Sequence, residues 1–170
     1  MTTSSHPRPD VRIATAADAD VLERLWALFR HDLSDVTGEL PRPDGRFRDE
    51  RLRAALDGAP GWCAHLAAVD GRPVAFALVR GVDSPVRVLS AFFVARAARR
   101  HGVGRAVAAD VLRRTPGTWE IAFQDANPAA AAFWPRVAAD VAGDRWALEH
   151  RAVPGGRDLP PDAWIRLRVA

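Results

Sequence analysis

The chain has 170 residues and is 48% hydrophobic, which is enough for one domain with a substantial core. Its single cysteine excludes an internal disulfide framework, and it contains neither a long apolar span nor a signal-peptide pattern. The net charge is only +3, and the 24 basic residues, all arginine, are interspersed with 21 acidic ones, so a nucleic-acid-binding arm is not indicated. We therefore expect a cytoplasmic domain that binds neither membranes nor nucleic acid.

The N-terminal part of the chain predicts one strand followed by two helices. Thr15 and Asp18 have the spacing of a helix capping box, and apolar residues at helical spacing follow them. The expected elements, in order, are a disordered leader over residues 1–10, a strand over 11–14, a helix to about residue 33, a loop over 34–48 and a helix over 49–56.

The middle of the chain predicts three antiparallel strands and a helix. Residues 70–73 (Asp-Gly-Arg-Pro) are a strong hairpin signal between two apolar runs. The strands are expected over residues 62–69, 74–80 and 86–94, and the helix from about 102 to 114.

A further strand, over residues 119–123, follows that helix. Since a strand, a helix and a strand in succession form a right-handed parallel crossover, the strands 86–94 and 119–123 should be parallel. Asn127 and Pro128 fit the cap and first position of a helix, which Pro135 should kink or end. Two terminal strands are expected, over residues 145–153 and 163–169.

The turn before the 102–114 helix is basic and contains two glycines, Gly102 and Gly104. A helix N-terminus presents backbone N–H groups without helical partners, and it favours anions. The pattern therefore indicates a diphosphate site, although glycine at a helix start also serves simple turns. It matches neither a nucleotide P-loop nor a dinucleotide fingerprint, because the required lysine and third glycine are missing.

Two motifs in this half of the chain resemble those of the GNAT superfamily of N-acyltransferases. They are Arg99-x-x-Gly102-x-Gly104, after an apolar strand, and Asn127-x-x-Ala130-x-x-Phe133-Trp134, on the following helix. The order of elements over residues 11–169 is also similar. The resemblance implies one α/β (α+β) domain over residues 11–170, with a mixed, mostly antiparallel central sheet, two splayed parallel strands and flanking helices.

The resemblance also implies that acetyl-CoA lies between the two splayed strands. Backbone groups of Phe92, Phe93 and Val94 would pair with its pantetheine arm, as an added β-strand does. Asn127 would face the pantetheine or the acyl end. The diphosphate would be held by the loop residues Arg99, Arg100, His101, Gly102, Val103, Gly104 and Arg105.

The catalytic residues implied by the resemblance depart from the family pattern. Trp134 stands where the family has a tyrosine that protonates the departing sulfur, and the chain contains no tyrosine. An indole N–H donates a hydrogen bond but does not release its proton at neutral pH, and a purely structural role for Trp134 stays open. Glu120 is the first candidate for the general base and Asp125 the second, with a surface charge as the alternative for Glu120. The Val94 amide is a candidate donor to the oxyanion.

Acidic residues at the end of the first helix could attract a cationic substrate, although a solvated helix end is the commoner explanation for such residues. They are Asp32, Asp35 and Glu39. The histidines have no metal-ligand spacing, so no metal is expected.

The predicted function is transfer of the acetyl group of acetyl-CoA to a primary amine of a small molecule, by direct attack in a ternary complex. A catalytically weak acyl-CoA-binding sensor is the alternative, and a protein amine as acceptor and a homodimer both stay open.

Overall fold

The computed structural model describes residues 8–156 and 158–170. Most of the predicted leader over residues 1–10 therefore lies outside the described residues. Its last residue, Asp10, is the first residue of a strand.

Seven strands and four α-helices make up the described part of the chain. The strands are β1 (Asp10–Ile13), β2 (Trp62–Val69), β3 (Arg72–Arg80), β4 (Val86–Val94), β5 (Gly117–Phe123), β6 (Trp146–Arg151) and β7 (Asp162–Val169). The helices are α1 (Ala19–Thr37), α2 (Glu50–Leu56), α3 (Val103–Arg113) and α4 (Pro128–Ala142). Two short 3₁₀ turns, Ala16–Asp18 and Arg96–Ala98, precede α1 and follow β4.

The strands form one sheet in the order β1-β2-β3-β4-β5-β7-β6. Within the described residues only β4 and β5 are parallel neighbours, which confirms the predicted crossover and the mixed, mostly antiparallel sheet. The parallel pairing follows from a strand that feeds a right-handed helix before the next strand.

The parallel pair separates before either strand ends. Pairing joins residues 86–89 to residues 118–121 and stops at Leu89 and Ile121, although β4 continues to Val94. At the same point Leu78 pairs with Ala91 and Val79 with Leu89, which leaves Ser90 as an extra residue in β4. Such a β-bulge bends its strand, so the sheet opens into a cleft beyond Ser90.

The helices cover the two faces of the sheet unequally. α3 and α4 pack on one face, over a core that includes Val107, Trp119 and Ile165. On the opposite face α1 and α2 pack against β2 and β3 over a second core, with Phe76 at its centre. Ala122 of β5 is exposed, so this second face stays open beside the separation of β4 and β5.

Two helices run further than the sequence indicated. α1 continues to Thr37 and ends at Gly38, whose φ of 68° is the left-handed conformation typical of a helix C-cap, so Asp35 is helical. α4 does not end at Pro135 but reaches Ala142. Burial of Val137 and Ala142 against the sheet offsets the hydrogen bond that proline removes. No helix in the described ranges is both long and apolar enough to cross a bilayer.

Candidate active site

A cleft of about 850 Å³ opens where β4 and β5 separate. Its walls come from the second half of α1, the end of β4, the β4–α3 loop and the first turns of α3 and α4. This volume lies in the upper part of the range that is typical of ligand-binding pockets. Most of the residues predicted to bind acetyl-CoA line it, among them Phe92, Phe93, Val94, Arg99, Arg100, Gly102, Gly104, Arg105 and Asn127.

The β4–α3 loop turns the start of α3 towards the cleft. Two of its residues, Arg100 and Gly102, adopt left-handed conformations with φ of 66° and 75°. Gly102 is the N-cap of α3, and the first helical hydrogen bond runs from the Ala106 N–H to the Gly102 carbonyl. The N–H groups of residues 103–105 therefore have no helical acceptor, which is the arrangement that the predicted anion site requires.

Gly104 fits closely between two walls of the cleft. A Cβ atom at this position would lie 3.4 Å from Phe133 and 3.5 Å from Val94, which is ordinary contact. Alanine therefore fits here, and both residues that a Cβ atom would contact also line the cleft.

Arg99 and Arg96 brace the loop from within the protein. Arg99 donates from Nε to the Val94 carbonyl at 2.7 Å and lies 5.7 Å from the centre of the Phe93 ring. Both arginines bond to Asp32 of α1, Arg96 at 3.1 and 2.8 Å. Burial opposes ionisation of Asp32, but the hydrogen bonds from the arginines outweigh it and lower its pKa.

These contacts change two expectations. The Val94 carbonyl already accepts a hydrogen bond, so a ligand that pairs with this strand has to use other backbone groups of residues 92–94. Asp32 is neutralised by two arginines, which makes it a poor site for a cationic substrate.

The other two predicted substrate residues are separated from each other. Asp35 lines the cleft. Glu39 lies outside the cleft lining and is paired with Arg30, which is buried, and with Arg48 at 3.5 Å. The three acids therefore do not form one negative surface.

An aromatic cluster forms the α4 wall of the cleft. Trp134 is buried and lies 5.1 Å from Phe92 and 4.8 Å from Phe133, both edge-on. Phe92 and Phe133 are stacked at 5.8 Å. All three residues line the cleft and border the space for a ligand.

Asn127 caps α4, as predicted. Its Oδ1 accepts a hydrogen bond from the Ala130 N–H at 3.1 Å. Since the residue also lines the cleft, its amide nitrogen is left to donate to a ligand.

Glu120 lies in a different environment from the one expected of a base. It points to the face of the sheet opposite α3, is not among the residues that line the cleft, and accepts hydrogen bonds from Arg151 at 2.9 and 3.1 Å and from Arg166 at 3.0 Å. The hydrogen bond from Arg151 is the main cause of its lowered pKa. Its role as a general base stays a prediction, which these contacts disfavour because a paired carboxylate accepts a proton less readily.

Asp125, the second candidate for the base, is exposed and lies 2.8 Å from the Nε2 atom of His150. Among the described residues, no group of three or more potential ligands could hold a metal ion.

Two arginines of α1 and α2 carry no signal in the sequence that marks them as part of a site. Arg30 lies buried on α1, and Arg51 of α2 donates to the carbonyl of Ser90 at 2.9 Å. The spacing of apolar residues on α1 gave no signal, because it does not distinguish a buried arginine from a solvated one.

Comparison with known proteins agrees with this geometry. The family model described as Acetyltransferase (GNAT) family matches residues 21–138. No curated protein is similar enough in sequence to match the chain.

Three solved structures illustrate the fold. An acetyltransferase from Thermus thermophilus is 19% identical, covers 95% of this chain and 97% of its own, and has a TM-score of 0.66. An alanine N-acetyltransferase of a ribosomal protein from Escherichia coli is 15% identical, with 95% and 94% covered and a TM-score of 0.62. A putative streptothricin acetyltransferase from Bacillus anthracis, in complex with acetyl coenzyme A, is 13% identical, with 95% and 99% covered and a TM-score of 0.61. At these identities the likeness concerns the fold alone.

Proposed function

The chain belongs to the GNAT acetyltransferase family, and we propose that it transfers the acetyl group of acetyl-CoA to a primary amine of a small molecule. The observation that carries the proposal is that one cleft contains both the N-terminus of α3 and the end of β4, whose β5-facing edge is unpaired. The first suits a diphosphate and the second suits the amides of a pantetheine arm.

The diphosphate is proposed to bind the N–H groups of residues 102–105. The absence of a side chain at Gly104 leaves space in front of these groups, and Arg100 and Arg105 line the same part of the cleft. The positive end of the α3 dipole adds to the attraction. Arg99 takes part indirectly, because its guanidinium holds the loop against α1 and β4.

The acetyl group is proposed to lie beside the bulge at Ser90, where β4 leaves β5. On the α3–α4 face this point is closed by Phe92 and Trp134, whereas on the other face Ala122 is exposed. The amine therefore approaches from the face that carries α1 and α2.

The reaction is a direct transfer. The lone pair of the neutral amine attacks the thioester carbonyl, and a β4 backbone N–H stabilises the oxyanion. Val94, the expected donor, lies four strand residues or about 13 Å beyond Ser90, so a β4 N–H nearer to Ser90 takes this role. The carbon–sulfur bond then breaks, the amide forms, and the sulfur leaves as a thiolate. A hydrogen bond from the Trp134 indole lowers the energy of that thiolate, while solvent water accepts the proton of the amine and supplies one to the sulfur.

The test is thiol release from acetyl-CoA across a panel of primary amines, with the mass of each product measured. The proposal expects one amine class to gain 42 Da, about the mass of an acetyl group in place of a hydrogen, in step with thiol release. Calorimetric binding of acetyl-CoA is measured on the same sample. If acetyl-CoA does not bind to the folded protein, the proposal is wrong.

A catalytically weak acyl-CoA sensor is the second candidate. It is favoured by one observation, the tryptophan at position 134 in a chain without tyrosine. Tight binding of acetyl-CoA with no turnover by the wild type, together with turnover by Trp134→Tyr, would favour the sensor over the enzyme.

The location of the protein belongs to the same proposal. Cys63 is a free thiol, as expected in a reducing compartment, and we propose that the protein acts in the cytoplasm.

A further inference from the structure

We propose that the acceptor amine carries an anionic group, a carboxylate or a phosphate, which binds to Arg51 and Arg48 on the open face of the sheet. This inference rests on the proposed function, because it concerns the second substrate of that reaction. It replaces the expectation of an acceptor chosen by acidic residues.

Arg51 lies at the point from which the acceptor must approach. Its Nη1 atom donates to the carbonyl of Ser90 at 2.9 Å, and Ser90 is the bulge residue at which β4 leaves β5. The Arg51 guanidinium therefore lies beside the proposed position of the acetyl group. Since this hydrogen bond uses one of five N–H groups, the side chain keeps donors for a ligand.

Arg48 lies in the same cluster, and its place is set by the fold. The Trp26 indole donates to its carbonyl at 3.0 Å, while its own Nε lies 3.5 Å from Glu39. The Arg48 side chain is 59% exposed, so its outer nitrogens are accessible.

Arg30 competes with Arg48 for the Glu39 carboxylate. It is 6% exposed, it is paired with Glu39, and its Nε has no hydrogen-bond partner in the described part of the chain. Glu39 therefore serves two arginines at once. One carboxylate cannot neutralise two guanidinium groups, which leaves an excess of positive charge beside Arg48.

The wider surroundings keep this excess. The positive charges of Arg48 and Arg80 repel the Arg51 guanidinium, whereas the carboxylates of Asp162 and Glu50 attract it. Glu50 is itself bonded to a further arginine, Arg42, at 3.2 Å. Arginines thus outnumber carboxylates around the approach to the cleft.

Two carboxylates across the open face, Glu120 and Glu149, are already held by arginines. Glu120 is shared by Arg151 and Arg166, and Glu149 is also bonded to Arg151. A cationic side chain would have to displace these arginines, whereas an anion meets donors that already face the opening. A planar guanidinium binds a carboxylate or phosphate through two parallel hydrogen bonds, which also orients the ligand.

The experiment compares amines that differ only by the anionic group. The pairs are phenylalanine with phenethylamine, glycine with methylamine, and 2-aminoethyl phosphate with ethanolamine. For each amine, kcat/KM with acetyl-CoA is corrected for the fraction of unprotonated amine. Direct binding of each amine to the complex with CoA is measured by calorimetry.

Three proteins are compared: the wild type, Arg51→Gln and the control Arg24→Gln. Arg24 lies on α1 with 77% of its side chain exposed and only a 4.0 Å contact to Asp20. We expect the wild type to prefer an anionic member by at least about tenfold, the effect of one charge-assisted hydrogen bond. Arg51→Gln should lower kcat/KM for that member by about 10- to 100-fold through KM and leave the neutral member within about threefold.

The pairs also identify the anionic group. A preference confined to 2-aminoethyl phosphate indicates a phosphate, and a preference confined to the amino acids indicates a carboxylate. The inference is overturned if acetyl-CoA binds but the anionic members neither bind nor react better than the neutral ones. It is equally overturned if Arg51→Gln lowers kcat/KM for both members of a pair by the same factor. That result is expected if Arg51 only holds the bulge at Ser90 in place. If acetyl-CoA fails to bind, the proposed function itself fails.

Discussion

Gly104→Glu separates the binding role of the α3 N-terminus from its structural role. Gly104 is the second residue of α3, has no left-handed strain, and leaves room for a Cβ atom at ordinary contact distance. A carboxylate in a first helical turn is stabilising by about 0.3–1 kcal/mol, and replacing a helical glycine adds a similar gain. The variant should therefore fold with a thermal midpoint equal to that of the wild type or a few degrees higher.

Its binding should change in the opposite direction. A unit charge about 5 Å from a diphosphate that carries about two charges costs on the order of 3 kcal/mol, at an effective dielectric constant of about 40. This corresponds to a loss of about 100-fold in acetyl-CoA affinity. Calorimetry measures the Kd, and circular dichroism measures the thermal midpoint.

Gly104→Gln is the matched control, because it has the same shape without the charge. Its loss of affinity should be smaller than that of Gly104→Glu, and the gap between them should narrow as salt rises from about 0.05 to 0.5 M. A folded Gly104→Glu variant that binds acetyl-CoA within about threefold of the wild type would refute this assignment of the diphosphate site.

Three further predictions concern other parts of the site. Trp134→Phe keeps an aromatic ring against Phe92 but removes the indole N–H, so kcat should fall about tenfold while the Kd of acetyl-CoA stays within about threefold; an unchanged kcat would limit Trp134 to packing. Arg100 has a φ of 66°, so Arg100→Gly should relieve about 1 kcal/mol of backbone strain and raise the thermal midpoint by about 2–4 °C. Because the variant loses a positive charge, its acetyl-CoA binding should weaken, most strongly at low salt. A thermal midpoint below that of the wild type would contradict the strain. The pKa of Glu120 is lowered from 4.5 mainly by Arg151, so the stability that it contributes is present above the unfolded-state pKa and is lost as the pH falls through its folded-state value. In urea unfolding, the Glu120→Gln variant should therefore be less stable than the wild type by about 1–2 kcal/mol at pH 7, and the difference should be smaller at pH 4. A difference in stability that does not change with pH would show that the charge of Glu120 is not involved.

The sequence predicted those parts of the fold that depend on local signals. The crossover from β4 to β5 follows from a strand, a glycine turn and a helix in succession, and Asn127 at the start of α4 is a local cap. Handedness rules and hydrogen-bonding chemistry fix both without knowledge of distant residues.

Contacts between distant residues could not be predicted in this way. Asp32 and Arg99 are 67 positions apart, and Glu120 and Arg151 are 31 apart, yet these pairs decide which charges remain available in the site. The bulge at Ser90 depends on the register of β3 against β4, which no local pattern determines. For the same reason the acidic appearance of residues 32–39 did not predict an arginine-rich approach to the cleft.

The central claim is that acetyl-CoA lies along the end of β4 and against the start of α3. Amide hydrogen exchange, measured with and without saturating acetyl-CoA, tests it most directly. The account predicts that protection increases at residues 92–94 and 102–106 and changes little at the hairpin between β2 and β3. Binding without added protection at these two segments, or with protection centred elsewhere, would contradict it.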